Sequence, residues 1–426
     1  MSITPLGKQL MEELVADSKA NGLVLFLGSG INATAVSQWT GLLDSLWEKV
    51  FDEASADDEL FRDFKGPLKQ WCTKLEVCAQ AALIKKILGA ERYLTEIQHA
   101  VYKIDNLERE VKEYCKGRSS GKIVEPNAKY ELLWRTACLA CLPQVRGVVT
   151  FNFDRLLECA IEALSEKSEK KPEEKTLAAK DGLRPKIPYT YFGGVASITE
   201  EKEQEEEKER LPIFHVHGLL SSPQAWPHNR NESVVFSLDE YLEKIADPLS
   251  WETATPVHML RHFCTLWLGA SLKDWNMLRL LHAANNQGFK IRSYALQCYQ
   301  EIREELFLSD TEATNFQQLA LQLTEPSSTA SQPSTDEFKQ LAWRLTEPFL
   351  NKPLSKEAQQ RAQDLTKPPP TAPDNVLKFP RLAQRLQATL FETVGVRLAV
   401  VGDKYKEIPD VIEELLIDKL KKKAKP

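Results

Sequence analysis

One glycine loop and two short polar clusters hold the residue types from which a reaction site can be built. Gly28-Ser29-Gly30-Ile31-Asn32-Ala33 satisfies G-x-G-x-x-A. Between a strand and a helix, such a loop brings main-chain N–H groups close to a phosphate, with the helix N-terminus facing the anion. The same spacing also serves a tight turn packed against a helix. The acid that a dinucleotide fold places about 20 residues on, at a second strand end, is missing. The nearest acids, Asp44, Glu48 and Asp52, fall within or at the end of the helix predicted from Thr40. The polar clusters are Thr150-Phe151-Asn152-Phe153-Asp154 and His217-Gly218. An asparagine can orient a water or a hydroxyl, and a neutral histidine, with an ordinary pKa near 6.5, can accept a proton at neutral pH. Each also has a plainer reading: a helix cap for Asn152 and Asp154, a satisfied core ring for His217. His215 shares a strand face with His217, so the pattern leaves open which ring acts. His99, His228, His258, His262 and His282 have no partner spacing, and the sequence holds no HExxH and no acidic metal cluster.

These residues need elements to position them. Leu23–Leu27 is five apolar residues between Asn21-Gly22 and Gly28, the pattern of a fully buried parallel strand. A helix follows from Thr40, which is available as its cap, with apolar residues at 42, 43, 46, 47, 50 and 51. Residues 53–142 read as mainly helical. A second strand, Val145–Phe151, runs into the Asn152 cluster and the helix RLLECAIEAL. A third, Ile213–Val216, delivers His217, and a fourth, Thr265–Leu268, delivers Gly269-Ala270-Ser271-Leu272 before a helix near Asp274. In open α/β sheets the ligand crevice lies beyond the carboxyl ends of the strands, so the four clusters meet if the four strands are neighbours. The fold class is α/β: a Rossmann-like parallel sheet with helical insertions and a C-terminal helical region.

The chain has 426 residues, 61 acidic and 55 basic, a formal charge of −6, with 42% hydrophobic residues. That composition excludes a wholly disordered chain and argues against a duplex-wide nucleic-acid footprint. No apolar run approaches the ~18 residues of a membrane span. The N-terminus lacks a basic start followed by an apolar stretch, and the expected address is cytoplasmic. Eight cysteines without framework spacing read as reduced structural thiols. Two domains are expected: 1–290, carrying the motifs and a charged insertion at about 165–210, and 291–426. In the insertion, every residue from Thr199 to Arg210 except Thr199 and Gln204 is charged. The second region carries a short repeat (FQQLALQLTEP, FKQLAWRLTEP and the fainter QQRAQDLTKP, within 316–368), Pro-rich linkers and a last strand and helix. A proline-stopped helix needs only a surface on which to bury its apolar face, so the repeats read as a helical appendage or oligomer contact.

In order and rough spacing, the motifs at 28–32, 150–154, 217–218 and 269–272 resemble the NAD-binding motifs of the sirtuin fold. TFNFDRLLE, Thr150 to Glu158, is similar to the T-x-N-x-D-x-L-L-E stretch of sirtuin-like domains in bacterial anti-phage defence proteins. The resemblance covers about residues 15–285. It implies that Asn152 and His217 are catalytic and that Gly28, Ser29, Gly30 and Asn32 line the diphosphate and ribose. It further implies that Phe151 and Asp154 border and support the site, and that Gly269 and Ser271 hold the adenosine half. Two departures bear on the activity. Sirtuin deacylases carry two CxxC pairs for a structural zinc after the catalytic histidine, whereas the CxxC here, Cys138 to Cys141, precedes Asn152, and only Cys264 and Cys298 follow His217. The residue before the key asparagine, usually glutamine in deacylases, is Phe151. The resemblance therefore implies NAD as substrate, no metal, and hydrolysis to nicotinamide and ADP-ribose by a cell-suicide effector restrained until triggered. Implied partners are further copies of the chain and a HerA-type ATPase, an Argonaute-like protein or a phage protein. The alternatives are a sensor or scaffold that binds NAD or ADP-ribose without turnover and, behind it, a protein deacylase.

Overall fold

The computed structural model describes residues 5–36, 39–57, 66, 69, 72, 75–102, 106–120, 128–166, 183–184, 186–192, 195–197, 209–220, 222, 234–247, 249–270, 274–285, 291–297, 396–400 and 408–421. The repeats at 316–368, the Pro-rich linkers, most of the charged insertion, and Ser271 with Leu272 lie outside them. The chain forms two compact units, Met11–Arg292 with Pro409–Pro426, and Met1–Leu10 with Ser293–Ile408.

The larger unit is built on β1 (Leu23–Leu27), β2 (Val145–Thr150), β3 (Lys186–Phe192), β4 (Val195–Ser197), β5 (Glu209–His215) and β6 (Cys264–Leu268). They lie in the order β4-β3-β5-β2-β1-β6. Every pairing is parallel except that of β3 with the short edge strand β4. All five residues of β1 and all five of β6 are buried, as the apolar run LVLFL and CTLWL, apolar except for Thr265, require of strands covered on both faces. The sheet is thus the Rossmann-like α/β arrangement that the sequence pattern predicts.

Register decides where the site forms. Leu27 pairs with Thr150 on one side and Leu268 on the other, and Thr150 pairs with His215. The carboxyl ends of β5, β2, β1 and β6 therefore stand in one row on adjacent strands. The residues that follow them, from Val216, Phe151, Gly28 and Gly269, leave the sheet side by side.

Helices α1 (Pro5–Asn21), α2 (Trp39–Asp57), α3 (Val77–Leu88), α4 (Ala90–Val101), α5 (Leu107–Ser119), α6 (Ala128–Ala140), α7 (Leu156–Ser165), α8 (Leu238–Ala246), α9 (Trp251–His262) and α10 (Trp275–Asn285) connect the strands. Two details correct the sequence reading. The glycine loop enters a 3-10 turn, Ser29–Asn32, rather than a helix, so no helix N-terminus follows it directly. Helix α2 begins at Trp39, which makes Thr40 a first-turn residue and not the cap. Trp39 lies against Phe236 and Phe153, with ring centroids 4.3 and 5.6 Å apart, and this aromatic packing sets the first turn. After α11 (Ile408–Val411) the chain forms a π-helical turn, Ile412–Ile417, and α12 (Asp418–Lys421). Glu413 pairs with Arg135 of α6, and Gln144 Nε2 donates to the Leu420 carbonyl at 3.0 Å. The smaller unit contains the parallel pair of β7 (Arg292–Gln297) and β8 (Val396–Val400).

Candidate functional site

On the β1–β6 side the chemistry is steric. Gly28 N–H donates to Leu268 O at 3.0 Å and Gly30 N–H to Gly269 O at 2.8 Å. A Cβ on Gly28 would lie 2.4 Å from Gly269 O, one on Gly30 2.6 Å from Gly269 Cα, and one on Gly269 2.3 Å from Ile31 N. Gly28 is extended, with φ −107°, so its bare Cα does not serve a left-handed turn. It makes room for a second backbone. Gly269 is needed twice over, since its φ of +61° also disfavours a side chain. Two of the predicted motifs thus meet, each as the other's packing partner. Ser29 is partly exposed and Asn32 is buried.

Asn32 links this side to the next. Its Nδ2 donates to Asp154 Oδ2 at 2.6 Å, while Asp154 Oδ1 accepts the Leu156 N–H at 3.1 Å, at the start of α7. Asp154, one residue before the N-cap Arg155, therefore satisfies the first N–H of α7 and supports the loop. Burial pushes its carboxyl up to about 6, against the lowering effect of the Leu156 N–H and the Asn32 amide.

On the β2–β5 side the site is polar. Asn152 follows β2, is 7% exposed, and its N–H donates to Thr150 Oγ1 at 3.1 Å. Its side-chain Oδ1 is buried and makes no hydrogen bond in the structure. A buried acceptor left this way costs on the order of 1–3 kcal/mol until a donor reaches it. His217 is fully buried, and the chain turns beyond it at Gly218, with φ +84°. Its carbonyl accepts Val235 N–H at 2.8 Å. The rings of Phe151, Tyr241 and Phe153 surround it at 5.0, 5.4 and 6.5 Å, and Phe151 stacks on Trp267 at 6.0 Å. Burial lowers the proton affinity of His217 below the ordinary imidazole value, opposed by the Asp274 charge and a hydrogen bond to the Phe151 main chain. The neutral, base-competent ring is the form this setting favours. Asp274 itself accepts the Tyr241 hydroxyl at 2.9 Å.

His215 is a different histidine. Its Nε2 lies 2.6 Å from Glu158 Oε1 and its Nδ1 3.0 Å from the Asn152 carbonyl, with both side chains 1% exposed. Burial pushes the Glu158 carboxyl up, but the charge and hydrogen bond of His215 outweigh it and hold it below its ordinary range. Both His215 nitrogens face protein groups, whereas the His217 ring stands within the aromatic wall.

The structure brings Gly28 and Gly30 onto Gly269, Asn32 onto Asp154, Phe151 onto His217 and Asn152 onto His215. His258 and His262 lie elsewhere, ring to ring at 4.4 Å on α9. Glu158, Tyr241, Asp274 and Trp267 escaped sequence reasoning. Only Glu158 had a signal: a carboxylate in LLECAIEAL, a stretch otherwise apolar enough to be buried, requires a partner. Among the described residues no group of three or more His, Cys, Asp and Glu is placed to hold a metal ion, and no helix is long and apolar enough to cross a membrane.

Residues 146–316 match the SIR2-like domain family. The match begins within β2, takes in Asn152, Asp154, His217 and Gly269, and leaves the glycine loop outside. No curated protein matches the chain.

Proposed function

We propose that this chain, a sirtuin-like protein by virtue of its SIR2-like domain, cleaves the nicotinamide–ribose bond of NAD with water. The supporting observation is the pairing of a buried, unsatisfied Asn152 Oδ1 with a His217 held neutral, on adjacent strand ends of a parallel sheet. NAD fits this donor set as substrate. The ribose hydroxyls supply the hydrogen that Asn152 Oδ1 lacks, and the linkage to be cut leaves as neutral nicotinamide.

That leaving group shapes the mechanism. A cationic pyridinium departs without protonation, so the second acid of an ordinary glycosidase is unnecessary. Asn152 orients the ribose or the attacking water, and His217 takes the proton as the C1–oxygen bond forms. The aromatic wall of Phe151, Phe153 and Tyr241 keeps bulk water from the oxocarbenium-like centre. Asp154 and Asn32 fix the loop between the two polar strand ends. Phe151 stands where deacylases carry glutamine, and its contacts with Trp267 and His217 leave no polar side chain there.

Purified protein incubated with NAD, alone and with candidate partners, should yield equal amounts of nicotinamide and ADP-ribose in at least one condition, and an acetyl-lysine peptide should be left unchanged with or without chelator. Tight NAD binding without products favours the sensor reading; O-acetyl-ADP-ribose favours the deacylase. Within the same reading, NAD loss serves bacterial cell suicide on phage infection, with the activity held off until a partner or phage component arrives. Phage plating on cells carrying the wild type should fall, and plating on cells carrying Asn152→Ala should not.

A further inference from the structure

We infer that His215 and Glu158 form a buried strut that holds the Asn152 main chain in its working position, acting on the reaction without touching substrate. The inference rests on the reading of Asn152 given above. Beyond Thr150 the chain leaves β2, and residues 151–155 belong to neither strand nor helix. Past the last ladder bond, Asn152 is held at the strand end through its N–H, which donates to Thr150 Oγ1 at 3.1 Å. Phe151 is tied by its N–H to Leu27 O at 2.9 Å, Phe153 by its carbonyl to Leu220 N–H at 2.8 Å, and Asp154 by Asn32. Between them, the Asn152 carbonyl accepts from the His215 ring at 3.0 Å.

The chemistry of that ring is constrained. Nδ1 faces a carbonyl and must carry a hydrogen. Nε2 faces Glu158 Oε1 at 2.6 Å, and two lone pairs cannot approach so closely, so a proton lies between them. Glu158 thus does two things: it shares the proton at Nε2, so that the ring can present Nδ1–H to Asn152 at the same time, and it sets the tilt of the ring. Thr190 Oγ1, from β3, approaches the same carboxylate oxygen at 3.4 Å. Glu158 stands on α7, whose start is capped by Asp154. The same helix is thus tied to the loop twice, at Asn152 through His215 and at Asp154 through the Leu156 N–H. The two ring nitrogens and Glu158 Oε1 all face protein groups rather than the site.

The test compares three variants of the full chain, each assayed below its own melting temperature. Glu158→Gln keeps a donor for Nε2 and the hydrogen on Nδ1, so the strut survives. Glu158→Leu frees the ring to turn its lone pair toward the Asn152 carbonyl, and His215→Leu removes the donor outright. We expect kcat for nicotinamide release to fall about 10- to 100-fold in the two leucine variants, KM for NAD to stay within about threefold, and Glu158→Gln to remain within about threefold of wild type. Leucine variants that fold and keep wild-type kcat overturn the inference, as does a Glu158→Gln variant as impaired as Glu158→Leu. Should the leucine variants fail to fold, histidine-selective nitrogen-15 NMR of the wild type decides. A low-field proton on His215 Nε2 that is absent in Glu158→Gln supports the strut, and a wild-type Nε2 with no proton near it refutes it. A wild type that releases no nicotinamide speaks against NAD cleavage, while the NMR result still judges the strut.

Discussion

The two halves of the site's rim are specified in opposite ways. On the β1–β6 side, Gly28, Gly30 and Gly269 are defined by the side chains they lack, because two backbones approach where any Cβ would overlap the other. On the β2–β5 side, Asn152, Asp154, His215 and His217 are defined by polar atoms that burial has stripped of water. The first side fails by steric overlap and reports through stability. The second fails by loss of a hydrogen bond or a proton acceptor and reports through rate and pH. A glycine motif and a polar motif can therefore share one site and require different assays.

The largest effect belongs to the polar side. His217→Ala should lower kcat for nicotinamide release about 10²- to 10⁴-fold, the range for loss of a general base, with the far-ultraviolet circular dichroism of the wild type. A His217→Ala protein that retains its rate would move the base elsewhere. On the steric side, Gly269→Ala combines a positive φ with a Cβ 2.3 Å from Ile31 N, and should cost more than about 3 kcal/mol in denaturant unfolding. Gly28→Ala, strained by contact alone, should cost about 1–3 kcal/mol. If both alanine variants unfold at the wild-type midpoint, the backbone contact is not what these glycines are for.

Acid should separate the halves further, because only the polar side titrates. His217 binds a proton less readily folded than unfolded, so its contribution to stability is full above pH 6.5 and is lost as the pH falls below that value. Glu158, lowered by its pair, likewise stabilises above its ordinary value of 4.5 and loses that contribution below it. Asp154 has the opposite sign. Folded it takes a proton near 6, unfolded only near 3.8, so acidification through this window favours the fold. Asp154→Asn removes that compensation. Its stability should fall more steeply than that of wild type between pH 6 and pH 4, by about 1 kcal/mol per pH unit; parallel melting curves against pH would contradict the burial argument. The smallest effect should come from outside the rim. Lys85 of α3 bridges Asp239 and Glu240 of α8 at 2.8 and 2.9 Å, and Lys85→Ala should cost about 0.5–1 kcal/mol in denaturant unfolding at neutral pH.

What the sequence disclosed follows the same division. Strands buried on both faces are legible because they must be uniformly apolar, and β1, β2 and β6 fall within a residue of their predicted limits. The convergence of the four strand ends was legible as a condition, and the order β5-β2-β1-β6 meets it. The glycine loop was legible as a spacing, but its contact with Gly269, more than two hundred residues away, was not. His215 and His217 were indistinguishable because strand alternation places them alike. Only the tertiary arrival of Glu158 separates the paired ring from the one in the aromatic wall. Tyr241 and Asp274 left no trace, since a single tyrosine in a helix and a single aspartate before one carry no spacing to read.

The most direct test of the central claim is nicotinamide release from NAD by the purified full chain, followed by chromatography for the wild type and Asn152→Ala, each alone and in bacterial extract before and after phage infection. The account predicts nicotinamide and ADP-ribose in equal amounts from the wild type in at least one of these conditions and a loss of at least about 10²-fold in Asn152→Ala. NAD recovered intact from the wild type in every condition, or released equally by the two proteins, would contradict it.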